Sequence, residues 1–174
     1  MITKRAFREC EVFQALGDAD LEQLLSLAVE REYEAGDAIF HQGDVAKDLL
    51  VLQGGKAALQ MQLSVELPRM SKSVTVDIVT NNDVLGWSAI VEPHFYTFTA
   101  VCLQRVNVLA IDGIRFRALL QDNNNIGYVV MNGLIRVVAS RLDETRRLLI
   151  SERLWSPKME QVGGSRQLAT NPAR

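Results

Sequence analysis

Histidine and cysteine are the side chains most often recruited for metal, redox and acid–base chemistry. This sequence holds two of each: His41, His94, Cys10 and Cys102. A metal-dependent barrel enzyme needs three or four clustered ligands, usually histidines, and neither His41 nor His94 has another histidine in its neighbourhood. An iron–sulfur sensor needs four cysteines. Cys10 and Cys102 form no CxxC motif and read as reduced, buried or half-buried thiols. No GxSxG motif, Walker-type loop or paired-carboxylate motif is present. No metal, no other cofactor and no enzymatic activity are expected; one histidine could serve as an axial haem ligand, but nothing in the sequence points to haem. What remains is recognition chemistry: Trp87, whose indole can stack on a flat ligand, and His94 in a polar loop.

Three zones must position these residues. Residues 1–29 read as helical. Asp18 is placed at an N-cap, and Leu21, Leu24, Leu25 and Ala28 recur on one face. Residues 30–112 read as short strands. Gly36-Asp37 and Gly43-Asp44 are turn signals around Ala38-Ile39-Phe40. The apolar run Leu49–Leu52 ends at Gly54-Gly55, read as a hairpin turn with Lys56–Leu63 as partner strand. Ser64–Ser73, with Pro68, reads as a loop or hairpin tip, and Asn81-Asn82-Asp83 as a turn. Val74, Val76 and Ile78 alternate with polar neighbours as in a half-buried strand. Tyr96–Leu103 and Val106–Ile111 are rich in strand formers, and one of Phe95 and Tyr96 is expected to face a barrel interior. Many short strands with regular turns argue for a small barrel or sandwich.

Residues 113–155 read as helical again. Ile114–Leu120 is a short helix, Asp122–Asn125 a break that caps the next one, and Ile126–Trp155 a long helix without proline. Its apolar residues fall into two stripes. Tyr128, Met131, Ile135, Val138, Leu142, Thr145, Leu149 and Glu152 follow a spacing of three and four, as in a coiled coil. Val130, Leu134 and Val137 form a second stripe on the first half only. One stripe would meet the barrel and the other a second copy, so a homodimer is expected through Met131, Ile135, Val138, Leu142 and Leu149. Residues 156–174, rich in Gly, Ser, Gln, Asn and Pro, are expected to be a disordered tail. No segment approaches the roughly 18 apolar residues of a membrane span. The charged opening MITKRAFREC has no secretory signal core. The protein is expected to be cytoplasmic, and its net charge of −2 draws no polyanion.

Particular residues carry a family resemblance over roughly residues 12–150. Val12-Phe13-Gln14-Ala15-Leu16 with Asp20-Leu21-Glu22-Gln23-Leu24, Tyr33–Asp44 with its two Gly-Asp turns, Leu49–Ala57 with Gly54-Gly55, and Asn82-Asp83-Val84-Leu85-Gly86 resemble successive motifs of the cyclic-nucleotide-binding domain. The resemblance implies an α+β, mainly β fold. Its core would be a double-stranded β-helix (jelly-roll) barrel with N-terminal helices and a long C-terminal helix. Regulators of the cyclic-AMP-receptor and anaerobic-regulator type share this layout and add a helix-turn-helix domain. Here only residues 156–174 follow the long helix, so DNA binding by this chain is not expected.

The phosphate-binding cassette departs from the family pattern. In nucleotide-binding members a Gly-Glu-x-Ala-Leu stretch is followed by Pro-Arg-Ala-Ala/Ser. The glutamate grips the ribose and the arginine pairs with the cyclic phosphate. Residues 86–97 read Gly86-Trp87-Ser88-Ala89-Ile90-Val91-Glu92-Pro93-His94-Phe95-Tyr96-Thr97. Trp87 stands in place of the glutamate, and His94 or Phe95 in place of the arginine. Between Arg69 and Arg105 the sequence has no arginine, and Lys72 is its one lysine. The resemblance implies a ligand-facing set of Gly86, Trp87, Ser88, Ala89, His94, Phe95 and Thr97, with the Ser88 and Ala89 amides and His94 as a weaker anion site. The expected function is a regulatory, ligand-sensing module with weak or no cyclic-nucleotide binding. The alternative is a structural dimerisation or adaptor module with a vestigial pocket. A small-molecule effector and an unnamed downstream protein are the expected partners.

Overall fold

The computed structural model describes residues 4–65 and 70–155. Two short helices, α1 (Lys4–Arg8) and α2 (Asp18–Leu25), precede eight strands. These are β1 (Ala28–Tyr33), β2 (Ala38–Phe40), β3 (Asp48–Gly54), β4 (Ala57–Val65), β5 (Met70–Val79), β6 (Val84–Leu85), β7 (Thr99–Cys102) and β8 (Val106–Asp112). Helices α3 (Gly113–Asp122) and α4 (Asn124–Trp155) follow. Strands β1-β8-β3-β6 make one sheet and β2-β7-β4-β5 the other, with antiparallel pairing throughout. This is the α+β, mainly β barrel that the sequence implies. Residues 1–138 form one compact unit, and residues 139–174 form a second, whose described part is the remainder of α4.

Within the first sheet, β3 and β8 are buried on both faces, which explains why Leu49–Leu52 is an unbroken apolar run. In β3 and β8, Leu49, Val51, Leu109 and Ile111 face the helices and pack with Phe7, Phe13 and Phe116. Their neighbours Leu50, Leu52, Val108 and Ala110 face the barrel interior with Phe40, Leu59 and Tyr96. The period-2 alternation thus divides one pair of strands between two cores. The stripe Val130, Leu134 and Val137 of α4 packs into the helical core, together with Ile126. Tyr128, Met131, Ile135 and Val138 lie exposed on the same helix. Asn123 caps α4: its Oδ1 accepts hydrogen bonds from the Asn125 (3.1 Å) and Ile126 (3.2 Å) amides.

Several local expectations are corrected. Gly54-Gly55 is not a hairpin. Strand β3 pairs with β8 and β6, whereas β4 pairs with β5 and β7. The glycines instead carry the chain around the corner from one sheet to the other. Asp18 does not cap α2: Gly17 holds the cap position, while Asp18 lies in the first turn and pairs with Arg8. An acid there still favours the positive helix end. Helix α2 ends at Leu25 and β1 begins at Ala28, ahead of residue 30. Val76 and Ile78 are exposed and Val79 is the buried residue, because β5 is an edge strand and a bulge at Leu59/Gln60 shifts its register. Strands β4 and β5 extend into Ser64–Ser73 from both ends. Residues 66–69 of that tip, the Glu152 side chain and the tail 156–174 lie outside the described residues.

Cys10 is 1% exposed in the helical core. Burial pushes its thiol from the usual 9.0 up to about 11. Because the folded-state value is the higher one, the thiol's contribution to stability is complete below pH 9 and is lost as pH rises towards about 11. Cys102 and Tyr96 shift the same way, again through burial. Urea unfolding at increasing pH should therefore show stability falling through this window. A Cys10→Ala variant, less stable overall through its lost volume, should show a shallower fall. An identical pH slope in both proteins would remove Cys10 from the account.

Candidate functional site

The cassette residues singled out in the sequence lie between β6 and β7. Strand β6 leads into Gly86, which adopts the left-handed conformation (φ 74°, ψ 26°), and then into a single 3-10 turn, Trp87–Ala89. Only glycine fits there, since a Cβ on Gly86 would lie 2.8 Å from the Asp48 carbonyl oxygen and 3.1 Å from Tyr96 Cε1. The Ala89 amide donates to the Gly86 carbonyl (2.9 Å), so the turn itself uses one of the amides offered to an anion. Trp87 is half-buried and packs with Ile90 against the helical core, not among the side chains of the barrel interior. From α3, Arg117 donates to the Ala89 carbonyl and ties the cassette to the helix.

The other half of the cassette distributes three aromatic rings differently. The His94 ring meets the Ser88 carbonyl at 3.0 Å through Nδ1. A carbonyl only accepts, so Nδ1 carries the proton. Phe95 is 48% exposed, and its backbone bridges Val45. Thr97 is exposed and Ser88 half-buried. Tyr96 turns into the barrel, 7% exposed. Its ring stacks on Phe40 with centroids 3.9 Å apart and planes 14° apart. Its hydroxyl donates to the Asp48 carbonyl (3.0 Å) and accepts from the Asp48 amide (3.2 Å). Burial raises the Tyr96 pKa above its usual 10.0, so the phenol remains a neutral donor.

Of the ligand-facing set drawn from the sequence, the structure brings Gly86, Trp87, Ser88, Ala89 and His94 together around the turn, with Ala89 in the barrel interior. It does not bring Phe95 or Thr97 inward. The residues missed are Tyr96 and Phe40. The one available signal was that one of two adjacent aromatics must face inward, and parity alone does not say which.

A cleft of about 490 Å³ lies beside the stacked pair, with Phe40 and Tyr96 in its wall. Arg31, Lys47, Asp44 and Asp48 supply its charge. Arg31 reaches both Asp48 carboxylate oxygens, at 2.7 and 3.3 Å. This pairing with Asp48 raises the Arg31 pKa further. Among the described residues no three His, Cys, Asp or Glu side chains gather as a metal site, and no helix is long and apolar enough to cross a membrane.

The fold recurs in solved structures. A protein of Geobacter metallireducens GS-15 described as cyclic nucleotide-binding is 28% identical, with a TM-score of 0.70 over 82% of this chain and 99% of that one. The N-terminal domain of a transcriptional regulator from Streptomyces coelicolor A3(2) gives 22% identity and a TM-score of 0.64 over 80% of this chain and 94% of that one. The catabolite activator protein of Thermus thermophilus gives 22% and 0.63 over 82% of this chain but only 63% of that one. The last two show likeness of fold alone. Among curated protein sequences none matches this chain. The family model for the cyclic nucleotide-binding domain matches residues 30–123, more than half of the chain and the span from within β1 past the end of α3, and on that match the chain belongs to the cyclic nucleotide-binding domain family.

Proposed function

We propose that this protein is a cytoplasmic, non-enzymatic regulatory module that senses a small ligand, assembles as a homodimer through α4, and takes up cyclic nucleotides weakly or not at all. The observation that carries the last point is the Phe40–Tyr96 stack. It fills the barrel beneath the cassette with a ring pair anchored on Asp48. No arginine or lysine occurs between Lys72 and Arg105 to pair with a phosphate. A buried anion left with amide donors alone forgoes a charge-assisted contact, and opening the barrel would forfeit the aromatic packing as well. The obstacle is thus Tyr96 more than Trp87, which packs towards the helices. Membership of the cyclic nucleotide-binding domain family supports the regulatory reading. The filled barrel equally favours the second reading, a dimerisation module with a vestigial pocket.

Calorimetry with cyclic AMP and cyclic GMP tests the proposal. The expected dissociation constants lie above about 100 μM, or roughly −5.5 kcal/mol. A value below about 10 μM, roughly −7 kcal/mol, would overturn it. The double variant Trp87→Glu/Tyr96→Arg, which puts a carboxylate and a guanidinium into the cassette and removes the stack, should bind cyclic AMP more tightly than the wild type. Thermal-shift measurements against a metabolite panel separate the two readings, because a ligand of the native state raises its apparent stability.

A further inference from the structure

The cleft beside the Phe40–Tyr96 pair is separate from the cassette turn: of residues 86–97 only Tyr96 lines it. Its charges balance, with Arg31 and Lys47 against Asp44 and Asp48. Arg31 and Asp48 already satisfy one another in a two-point contact. The Lys47 ammonium and the Asp44 carboxylate have no side-chain partner among the described residues, and both are exposed.

The backbone that carries these two groups is pinned on both sides. The Gly43 amide donates to the Tyr96 carbonyl (2.8 Å), the Tyr96 amide to the Asp44 carbonyl (2.9 Å) and the Ala46 amide to the His94 carbonyl (2.8 Å). The Lys47 carbonyl accepts from the Gly113 amide (2.7 Å) at the start of α3. A backbone held in this way has little ordering entropy left to lose on binding, so the cost falls on the two side chains alone. At about 490 Å³ the cleft falls in the size range of small-molecule sites. A ligand of one charge sign would leave either Lys47 or Asp44 facing a like charge or nothing, whereas a ligand carrying both signs answers both.

We propose that this cleft binds small zwitterions of the amino-acid class. The carboxylate sits on Lys47, the ammonium group on Asp44, and an apolar side group lies against Ile39, Val45 and Phe40. The proposal is independent of the nucleotide reading, so a failed or successful cyclic-nucleotide titration leaves it standing. Because Lys47 also contacts the first residue of α3, occupancy of the rim would be felt at that helix.

The test is titration of the full chain with each common amino acid separately, followed by backbone amide NMR shifts. At least one amino acid with an apolar side chain should saturate with a dissociation constant of about 1 mM or tighter, roughly −4 kcal/mol, and the shifts should concentrate in residues 38–48. Asp44→Asn and Lys47→Met should each weaken binding about tenfold or more with an unchanged melting temperature, since both side chains are exposed. Acetate and a simple alkylamine, with one charge each, should bind about tenfold more weakly or worse. No saturable shift with any amino acid, shifts centred elsewhere, or binding indifferent to both substitutions would each overturn the proposal.

Discussion

Replacing Leu142 by aspartate should abolish the homodimer proposed through α4 and leave a monomer. On α4 the apolar side chains Tyr128, Met131, Ile135, Val138, Leu142 and Leu149 follow the spacing of a coiled-coil seam. They are exposed to between 42% (Met131) and 73% (Tyr128) of their full extent. The other stripe of the helix, Val130 and Leu134, is already buried in its own unit, at 0% and 4%. A monomer would leave a long row of large apolar side chains in water, which marks an interaction surface. A second copy of the same helix would bury that row against itself under two-fold symmetry. An aspartate near the middle of the seam would place two unpaired carboxylates in an apolar interface. The cost is several kcal/mol, and about 3 kcal/mol already weakens association more than 100-fold. Light scattering at micromolar protein should report dimer mass for the wild type and monomer mass for Leu142→Asp. A monomeric wild type, or a variant that remains dimeric, would show that this stripe is not the interface.

Gly55→Ala should be among the most destabilising single substitutions in the barrel. Gly55 has φ +95°, and an added Cβ would meet the Arg105 carbonyl oxygen at 2.2 Å and Val106 Cα at 3.0 Å. The contact is with backbone on both sides, so no side-chain rotation relieves it. Backbone strain of about 1–3 kcal/mol adds to the displacement of the corner against the start of β8. A loss of at least about 3 kcal/mol is expected, and a fall in melting temperature of roughly 6–12 °C on the scale of a domain this size. Gly36→Ala is the matched control. Its φ of +92° imposes similar strain, but an added Cβ meets nothing within 4 Å, so its cost should stay near about 1 kcal/mol. Equal losses in the two variants would show that the sheet-to-sheet corner is not as close as the geometry states.

The same corner shows how local signals mislead. An apolar run, two glycines and a second apolar run suit both a hairpin and a crossing between sheets. What distinguishes them is the partner each strand takes, and that partner comes from distant sequence: β8 for β3 and β7 for β4. The one local hint was the unbroken run Leu49–Leu52, which suits a strand covered on both faces better than a two-stranded ribbon. Val76 and Ile78 misled for the opposite reason. Their alternation is real, but it points outward on an edge strand, and a one-residue bulge decided the parity.

The chain's residue types and spacings were enough to determine the short-strand architecture, the motifs shared with the family, the proline-free helix with its two stripes, and the absence of arginine between Arg69 and Arg105. These are properties of local pattern and composition, which the chain carries before it folds. Tertiary structure alone decided where the cassette's rings go. Trp87 joined the helical core, His94 turned to the Ser88 carbonyl, Phe95 faced solvent, and Tyr96 entered the barrel to stack on Phe40. A side chain's direction in a short irregular loop depends on single-residue register. Here that register is set by backbone hydrogen bonds from residues 43–46 to residues 94–96, about fifty positions apart in the chain, which no local pattern encodes.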